Sequence, residues 1–204
     1  MYEEYLVIGL MIVGFLIYKL VSNYIKRYKE KFRETAMKIG LEYINKKDES
    51  LVKDISACAI RGFYEYVPKV LLSGKRSGTK WKIFKQAVNT GGKNQTNYLV
   101  YMAECSLPEF LIFKNTWSNK FSFANKRKYL PKIELGLGIS EKFFIRSKDK
   151  SFLLKRTSLF NDDMKWIIDS LGDKLLIYRE CLFISPSKIE EEFKEVEKIY
   201  RMFS

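Results

Sequence analysis

The chain has 204 residues, of which 47% are hydrophobic and 15% aromatic, and it carries a formal net charge of +13 with no histidine. This composition excludes an intrinsically disordered chain, because it supplies ample material for a packed core. The missing histidine excludes Ser-His-Asp and Cys-His catalysis, histidine-ligated metals and histidine pH switches. The charge favours nucleic acid or an anionic membrane surface as a partner, although charges spread along a chain are also typical of a solvated surface.

The first element is an almost uniformly apolar stretch, residues 5–21, in which Lys19 is the only charge. A bilayer core of about 30 Å needs roughly 20 helical residues. Residues 5–25 supply that length when the Lys19 ammonium extends to the interface. The sequence therefore predicts a transmembrane anchor over residues 1–25.

Three other interpretations of this stretch compete with an anchor. A cleaved signal peptide has a basic start and a small-residue cleavage site, whereas residues 1–5 carry two glutamates and large basic residues follow the apolar run. A buried core helix is also apolar on all sides, but such a helix near a terminus is more often a span. A helix lying in the interface needs a polar face, and residues 5–18 have none.

A basic cluster follows the apolar stretch, and no Lys or Arg precedes the apolar stretch. The cluster consists of Lys26, Arg27, Lys29, Lys31 and Arg33. Because basic residues stay on the cytoplasmic side, this asymmetry predicts a single-pass protein of the cell membrane with its N-terminus outside and its C-terminal domain in the cytoplasm. Each of these cations is expected to contact anionic lipid, a contribution of about 1 kcal/mol that salt screens.

The three cysteines, Cys58, Cys105 and Cys181, are far apart and form no CxxC pair. A sparse, odd number of cysteines suits a reducing compartment, which agrees with the predicted cytoplasmic side. Each is interpreted as a small buried apolar residue rather than a nucleophile. The sequence predicts no metal site and no cofactor.

Beyond the anchor, a helical pattern of apolar residues continues to residue 44, with a break or cap at Gly40. Residues 26–50 are therefore assigned to a basic juxtamembrane helix and the turn that follows it, starting at residue 45. Residues 51–204 are assigned to one cytoplasmic domain. Its first element is a short helix over residues 51–58.

Alternating and β-branched segments predict an antiparallel meander next. Its strands are expected over residues 63–74, 80–89, 96–106 and 107–115, separated by Gly-rich or Pro-containing turns. Strands joined by such short turns are expected to pair with each other in sequence order.

The C-terminal part mixes extended segments with two helices. Residues 133–138, 141–147 and 151–156 are read as short extended segments. A helix capped by residues 161–163 is predicted over residues 164–172, followed by a strand or tight hairpin, and a last helix begins at Pro186. The fold class is therefore α+β: an N-terminal transmembrane helix, then an antiparallel meander sheet packed by two or three helices.

Two basic segments are candidate anion or ligand contacts. Lys75 and Arg76 lie in a Gly-rich turn, where phosphate binding competes with a plain hairpin turn. Lys126, Arg127 and Lys128 lie in a basic and aromatic run that resembles sites for single-stranded nucleic acid or lipid headgroups, against a solvated loop with inward aromatics.

Carboxylates offer few catalytic pairs. Glu104 and Glu109 flank a Leu-Pro step and are candidates to converge on a metal, but no third ligand is evident. Asp162 and Asp163 are explained by capping of the predicted helix.

The order of these features resembles a family of prokaryotic membrane-anchored proteins that share an N-terminal span, a basic cytoplasmic helix and a domain of unknown function. The matching segments are residues 73–78 leading into 81–84, residues 107–110, Glu134 followed by residues 143–149, and residues 174–178. The resemblance covers most of residues 30–204 and implies the architecture, but it implies no activity.

Together these observations predict a membrane-anchored protein whose cytoplasmic domain is a binding or scaffolding module near the inner leaflet, and not an enzyme. Its expected partners are membrane lipids and another membrane or cytoplasmic protein. The alternative is a tethered enzyme or nucleotide-binding domain that needs no histidine. Nucleic acid ranks last, because no helix-turn-helix or RNP signature is present.

Overall fold

The computed structural model describes residues 2–58, 66–91, 94–116, 127–136 and 138–204. It contains one open antiparallel sheet of eight strands together with several helices, which confirms the α+β prediction. The strands are β1 Glu42–Lys47, β2 Lys69–Arg76, β3 Thr79–Gly91, β4 Asn94–Glu104, β5 Phe110–Lys114, β6 Phe143–Ser147, β7 Ile167–Ser170 and β8 Lys174–Glu180. The helices are α1 Tyr2–Lys38, α2 Ser50–Ile55, α3 Ile139–Lys142, α4 Lys150–Leu154 and α5 Pro186–Phe203, with a 3-10 helix over Thr157–Leu159.

The strand order is β1-β2-β3-β4-β8-β7-β5-β6, and all pairs are antiparallel. The predicted meander is confirmed for β2, β3 and β4. The expectation that the next strand, β5, pairs with β4 is wrong, because the β7–β8 hairpin lies between them. The chain leaving β4 crosses the turn of that hairpin, where Cys105 N donates to Asp173 O at 3.0 Å and Leu107 N to Gly172 O at 2.9 Å.

Helix α1 ends in a glycine cap. Gly40 has a positive φ of 70°. Its amide donates to Met37 O at 3.1 Å, and the Leu41 amide donates back to Ala36 O at 2.8 Å. These two bonds form a Schellman motif, which only a residue tolerant of positive φ closes without strain. The cap predicted at Gly40 is confirmed.

The chain after this cap is a strand and not a helix. β1 begins at Glu42, so the helical pattern expected through residue 44 and the helix assigned to residues 26–50 are too long. Residues 45–47, expected to begin a turn, complete β1. The apolar spacing was misleading because Tyr43 packs on the same core as α1 from the strand that follows it.

Helices pack against both faces of the sheet. One face packs against the last turns of α1, through Phe32, Ala36 and Ile39, and against α5. The opposite face packs against α2, which buries Leu51 and Ile55 completely. The predicted helix at the start of the domain and the last helix are both confirmed.

The helix predicted over residues 164–172 is wrong, because this segment contains β7 and the turn to β8. The strand lies in the middle of the sheet, and all four of its residues are buried. A strand buried on both faces loses the polar alternation that identifies strands in a sequence. Gly172, with φ of 98°, forms the hairpin turn instead of ending a helix.

Two of the expected extended segments contain helical turns. Residues 151–156 overlap α4, whose N-cap is Asp149: its carboxylate accepts from the Phe152 amide at 2.9 Å. Residues 141–147 begin in the short helix α3 and become strand β6 only at Phe143. Residues 133–138 form no named strand among the described residues; the neighbouring Lys132 makes a single bridge to Arg146.

Candidate membrane-proximal surface

Within the described residues, α1 is the one helix that is long and apolar enough to cross a membrane. Its apolar side chains face solvent: Leu10 is 64% exposed, Phe15 64% and Leu20 70%. A soluble domain buries such side chains, because each exposed apolar side chain forfeits about 1.5 to 3 kcal/mol. The first part of α1 therefore has the properties of a candidate membrane span. The sheet domain does not cover these apolar side chains.

The five cations predicted to contact lipid follow directly on the same unbroken helix. Lys26, Arg27, Lys29, Lys31 and Arg33 are all exposed. A helix advances about 100° per residue, so they surround the strip of α1 that packs on the domain and leave only that strip free of positive charge. The Arg33 guanidinium lies 6.0 Å from the ring centroid of Tyr43, which holds one of them beside β1.

The connection between β8 and α5 packs against the same part of α1. The Tyr28 hydroxyl donates to Ile184 O at 2.7 Å. The two preceding side chains, Leu182 and Phe183, are 87% and 89% exposed. We name residues 182–184 the β8–α5 loop.

Two grooves flank this loop, one on each side of α1. The larger, about 820 Å³, is lined by residues that include Tyr24, Arg27, Lys31, Lys38, Phe183 and Glu190. The smaller, about 370 Å³, is lined by residues that include Ile25, Lys29, Lys69, Lys85, Leu182 and Phe183. None of the described side chains lining the smaller groove is acidic, so three cations stand there beside apolar groups.

The residues of the first candidate anion segment, Lys75 and Arg76, end β2 and lead into a hairpin turn. Ser77 and Gly78 both have positive φ, at 50° and 84°, as a two-residue type I′ turn requires. Arg76 is turned inward: it donates to Ile39 O at 2.7 Å and to both carboxylate oxygens of Glu197 at 3.2 and 3.3 Å. Arg76 therefore joins the end of α1 to α5, while Lys75 faces solvent.

The second candidate anion segment is also divided. Lys126 lies outside the described residues. The side chain of Arg127 is only 2% exposed and donates to Glu109 Oε2 at 3.1 Å and Ser170 O at 2.8 Å. Lys128 is exposed. The Arg127 guanidinium is thus occupied by internal contacts, and only Lys128 of the two described residues faces solvent.

The two carboxylates considered for a metal have separate basic partners. Glu109 accepts from Lys148 Nζ and from the Tyr129 hydroxyl, both at 2.7 Å. These hydrogen bonds, from Lys148 first and Tyr129 second, lower the pKa of Glu109, and burial raises the pKa of Tyr129 to about 12. Glu104 instead pairs with Lys80 at 3.2 Å. Among the described residues no group of three acids or cysteines is placed to hold a metal ion.

A third polar cluster was missed from the sequence. Glu192 of α5 is buried, accepts from the Tyr101 hydroxyl at 3.0 Å and forms an ion pair with Arg179. Burial first, and the neighbouring Glu192 second, raise the pKa of Tyr101 well above its ordinary value. The position of Glu192 in the sequence could have indicated that it is buried. It lies three residues after Ile189 and four before Val196, on the apolar stripe of the helix.

This cluster borders a groove of about 680 Å³ between β8 and α5. Its lining combines bases with acids, among them Lys165, Arg179, Lys188, Glu191 and Glu195. Lys165 and Arg179 already pair with Glu195 and Glu192. A groove whose charges largely compensate one another selects no single sign of ligand.

The cysteines are free thiols. Cys58 and Cys181 are buried, as predicted, whereas Cys105 is only half-buried. Burial first, and the nearby Asp173 carboxylate second, raise the pKa of Cys105 to about 11. A thiolate is the reactive form of cysteine, so this shift suppresses nucleophilic chemistry at Cys105.

We predict that Cys105 in the folded protein is alkylated by iodoacetamide about a hundredfold more slowly than an ordinary thiol, whose pKa is about 8.5. The rate at mildly alkaline pH is measured by mass spectrometry of the peptide that contains Cys105. The same chain in urea is the control and is expected to react at the ordinary rate. Equal rates in both states would show that Cys105 is an accessible thiolate.

No known protein family, curated protein or solved structure matches this chain. The resemblance of residues 73–84 and the other segments to a membrane-anchored prokaryotic family therefore stays a prediction.

Proposed function

We propose that the chain is a single-pass membrane protein whose sheet domain is a binding or scaffolding module held against the inner leaflet of the cell membrane. The observation that carries this proposal is the continuity of α1. Its first part exposes apolar side chains, and its last turns bury Phe32, Ala36 and Ile39 in the core of the domain. An anchor that is also a core helix leaves no flexible linker between the span and the sheet.

This continuity sets the distance between the domain and the lipid. From Ile25 to Arg33, the last residue of the basic cluster, a helix rises about 12 Å, which is comparable to the Debye length of about 8 Å at physiological ionic strength. The basic cluster lies within this distance, where anionic lipid still attracts it. The cluster supports the cytoplasmic orientation as well, because it stands on the C-terminal side of the span.

The polar clusters support a binding role over catalysis, because their charged groups make contacts inside the fold. Arg127 holds Glu109 and the Ser170 carbonyl, Arg76 joins α1 to α5, and Glu192 holds Tyr101. Each of these groups satisfies a buried or half-buried partner inside the fold. The alternative, a tethered enzyme or nucleotide-binding domain that needs no histidine, draws no support from these pairs. The partner of the module is proposed to be lipid together with a membrane or cytoplasmic protein.

We predict that reversing all five cations of the cluster to Glu weakens the contact with anionic lipid by at least about 5 kcal/mol at low salt, because about 1 kcal/mol of attraction is lost for each cation and the new carboxylates are repelled. The same change removes the topology signal, so a fraction of the molecules is expected to insert with the domain on the opposite side. Topology is measured by protease protection of the domain in sealed vesicles. The lipid contact is measured by vesicle flotation of residues 26–204 at low and high salt, because the span would hold the full chain to the vesicle in either case.

The matched control reverses five exposed lysines elsewhere on the domain and so changes the net charge equally. These are Lys128, Lys132, Lys150, Lys155 and Lys198. The control variant is expected to keep the topology and the lipid contact of the natural chain. Identical protease protection and flotation of the two variants would contradict the proposed role of the cluster.

A further inference from the structure

The β8–α5 loop exposes two adjacent large apolar side chains. Leu182 and Phe183 are 87% and 89% exposed, the highest values among the exposed large apolar residues of the described chain. Single exposed apolar side chains are common on soluble domains, but a contiguous pair at a loop tip marks a surface that meets another apolar medium.

The position of the loop along α1 identifies that medium. The loop is held at Tyr28 by the hydrogen bond to Ile184 O. The grooves beside Phe183 reach Tyr24 on one side and Ile25 on the other. Tyr24 and Ile25 are the last two residues of the predicted span, residues 5–25, so the loop lies at the depth where this span leaves the hydrocarbon core.

Charge around the loop agrees with this depth. Arg27 and Lys31 line the groove on one side of the loop, and Lys29, Lys69 and Lys85 line the groove on the other. The acids nearby are in the larger groove, where Glu190 pairs with Lys38 at 3.6 Å. Apolar side chains surrounded by cations match a lipid interface, where acyl chains lie next to anionic phosphates.

We propose that Leu182 and Phe183 insert into the cytoplasmic interface of the bilayer beside the anchor and form a second membrane contact of the domain. This inference rests on the proposed function, because it requires that α1 spans the membrane. The span fixes the distance of the domain from the bilayer. The loop, as a second contact, also prevents the domain from rotating about the α1 axis. One defined side of the sheet domain is then presented to its partner.

The chain offers a matched control at the opposite end of α5. The α1 and α5 helices run in the same direction, since Tyr28 meets Ile184 and Lys38 meets Glu190. The 18-residue α5 therefore extends about 27 Å away from the loop. Leu154, which is 44% exposed, belongs to α4, and α4 packs on the far end of α5 through the stacked rings of Phe152 and Phe203.

The test places a single additional tryptophan at each site in the full chain, as Leu182→Trp and Leu154→Trp. Each variant is reconstituted in vesicles of phosphatidylcholine and phosphatidylglycerol, a fraction of whose acyl chains carries bromine near the headgroup. Bromine quenches tryptophan at short range. The emission of the natural chain, which has three tryptophans, is subtracted from each spectrum.

Leu182→Trp is expected to lose most of its added emission to brominated lipid, and Leu154→Trp is expected to keep it. Anchoring is measured in the same samples by flotation in alkaline carbonate, and folding by circular dichroism. A chain that floats while its tryptophan at position 182 stays unquenched overturns the inference alone and assigns the loop to a protein contact. A chain that does not float overturns the proposed function.

Discussion

Arg127→Met is expected to lower the free energy of unfolding of the domain by about 3 to 5 kcal/mol, the range found when one partner of a buried ion pair is removed. The Arg127 side chain is 2% exposed and that of Asp169 is 0% exposed, with 3.7 Å between Nη1 and Oδ1. The same guanidinium also donates to Glu109 and to the carbonyl oxygens of Ser170 and Ala57. Methionine fills a similar volume but donates to none of these acceptors.

The loss is measured by urea denaturation and by thermal melting, where we expect the midpoint to fall by about 10 °C for a domain of this size. Lys128→Met is the matched control, since Lys128 is the adjacent residue and is exposed. Its free energy of unfolding should stay within about 0.5 kcal/mol of the natural value. A similar small change for Arg127→Met would show that Arg127 is not part of the stabilising interior.

The pH dependence of stability provides a second readout of the same cluster. Hydrogen bonds from Lys148 and Tyr129, together with the Arg127 charge, lower the pKa of Glu109 in the folded state. The unfolded chain therefore binds more protons between the folded and unfolded pKa values, so stability rises with pH there. The contribution is present above the unfolded pKa of about 4.3 and is lost as the pH falls through the folded value. We expect Arg127→Met to narrow the difference in melting temperature between about pH 7 and about pH 3.

Local signals in the sequence predicted elements that depend on local interactions. Gly40 ends α1 because its positive φ closes a cap within six residues. The last helix follows from Pro186 at its start and from the apolar stripe through Ile189, Phe193 and Val196. The turn at Ser77 and Gly78 follows from the φ values that such residues allow.

Long-range pairing was not predictable in the same way. The β7–β8 hairpin separates β4 from β5, and no short-range pattern records that insertion. The spacing of Met164, Ile167 and Ile168 imitates one face of a helix, because β7 is buried on both faces and its two isoleucines are adjacent in the sequence. The short helix α4 was missed for a different reason: Asp149, its N-cap, precedes only five helical residues.

The candidate site likewise combines one part that local sequence signals predict and one part that depends on long-range structure. The basic cluster of α1 could be predicted, because proximity to an apolar stretch in the sequence is also proximity in a helix. The β8–α5 loop could not, because Leu182 and Phe183 belong to the segment, residues 174–185, that was predicted as a strand or tight hairpin. Only the tertiary structure shows that Leu182 and Phe183 leave the sheet beside Tyr28 and stay exposed.

Phe32→Ala is expected to cost about 3 to 5 kcal/mol of unfolding free energy and to loosen the junction between the anchor and the domain. Phe32 is 2% exposed and packs edge-on against Tyr28, with ring centroids 5.0 Å apart, and against Tyr43 at 5.8 Å. It therefore joins the part of α1 that leaves the membrane to the first strand of the sheet. Removing the ring leaves a cavity between α1 and β1.

Met37→Ala is the matched control, since Met37 lies on the same helix but is 73% exposed, and alanine preserves the helix. Amide hydrogen exchange of the reconstituted chain separates the two variants. Phe32→Ala is expected to raise exchange in residues 28–39 while flotation is unchanged, because residues 5–25 still span the bilayer. Unchanged exchange would mean that α1 is held to the sheet by its other contacts. Raised exchange in Phe32→Ala but not in Met37→Ala, as expected, would show that the Phe32 ring holds the end of α1 to the sheet domain.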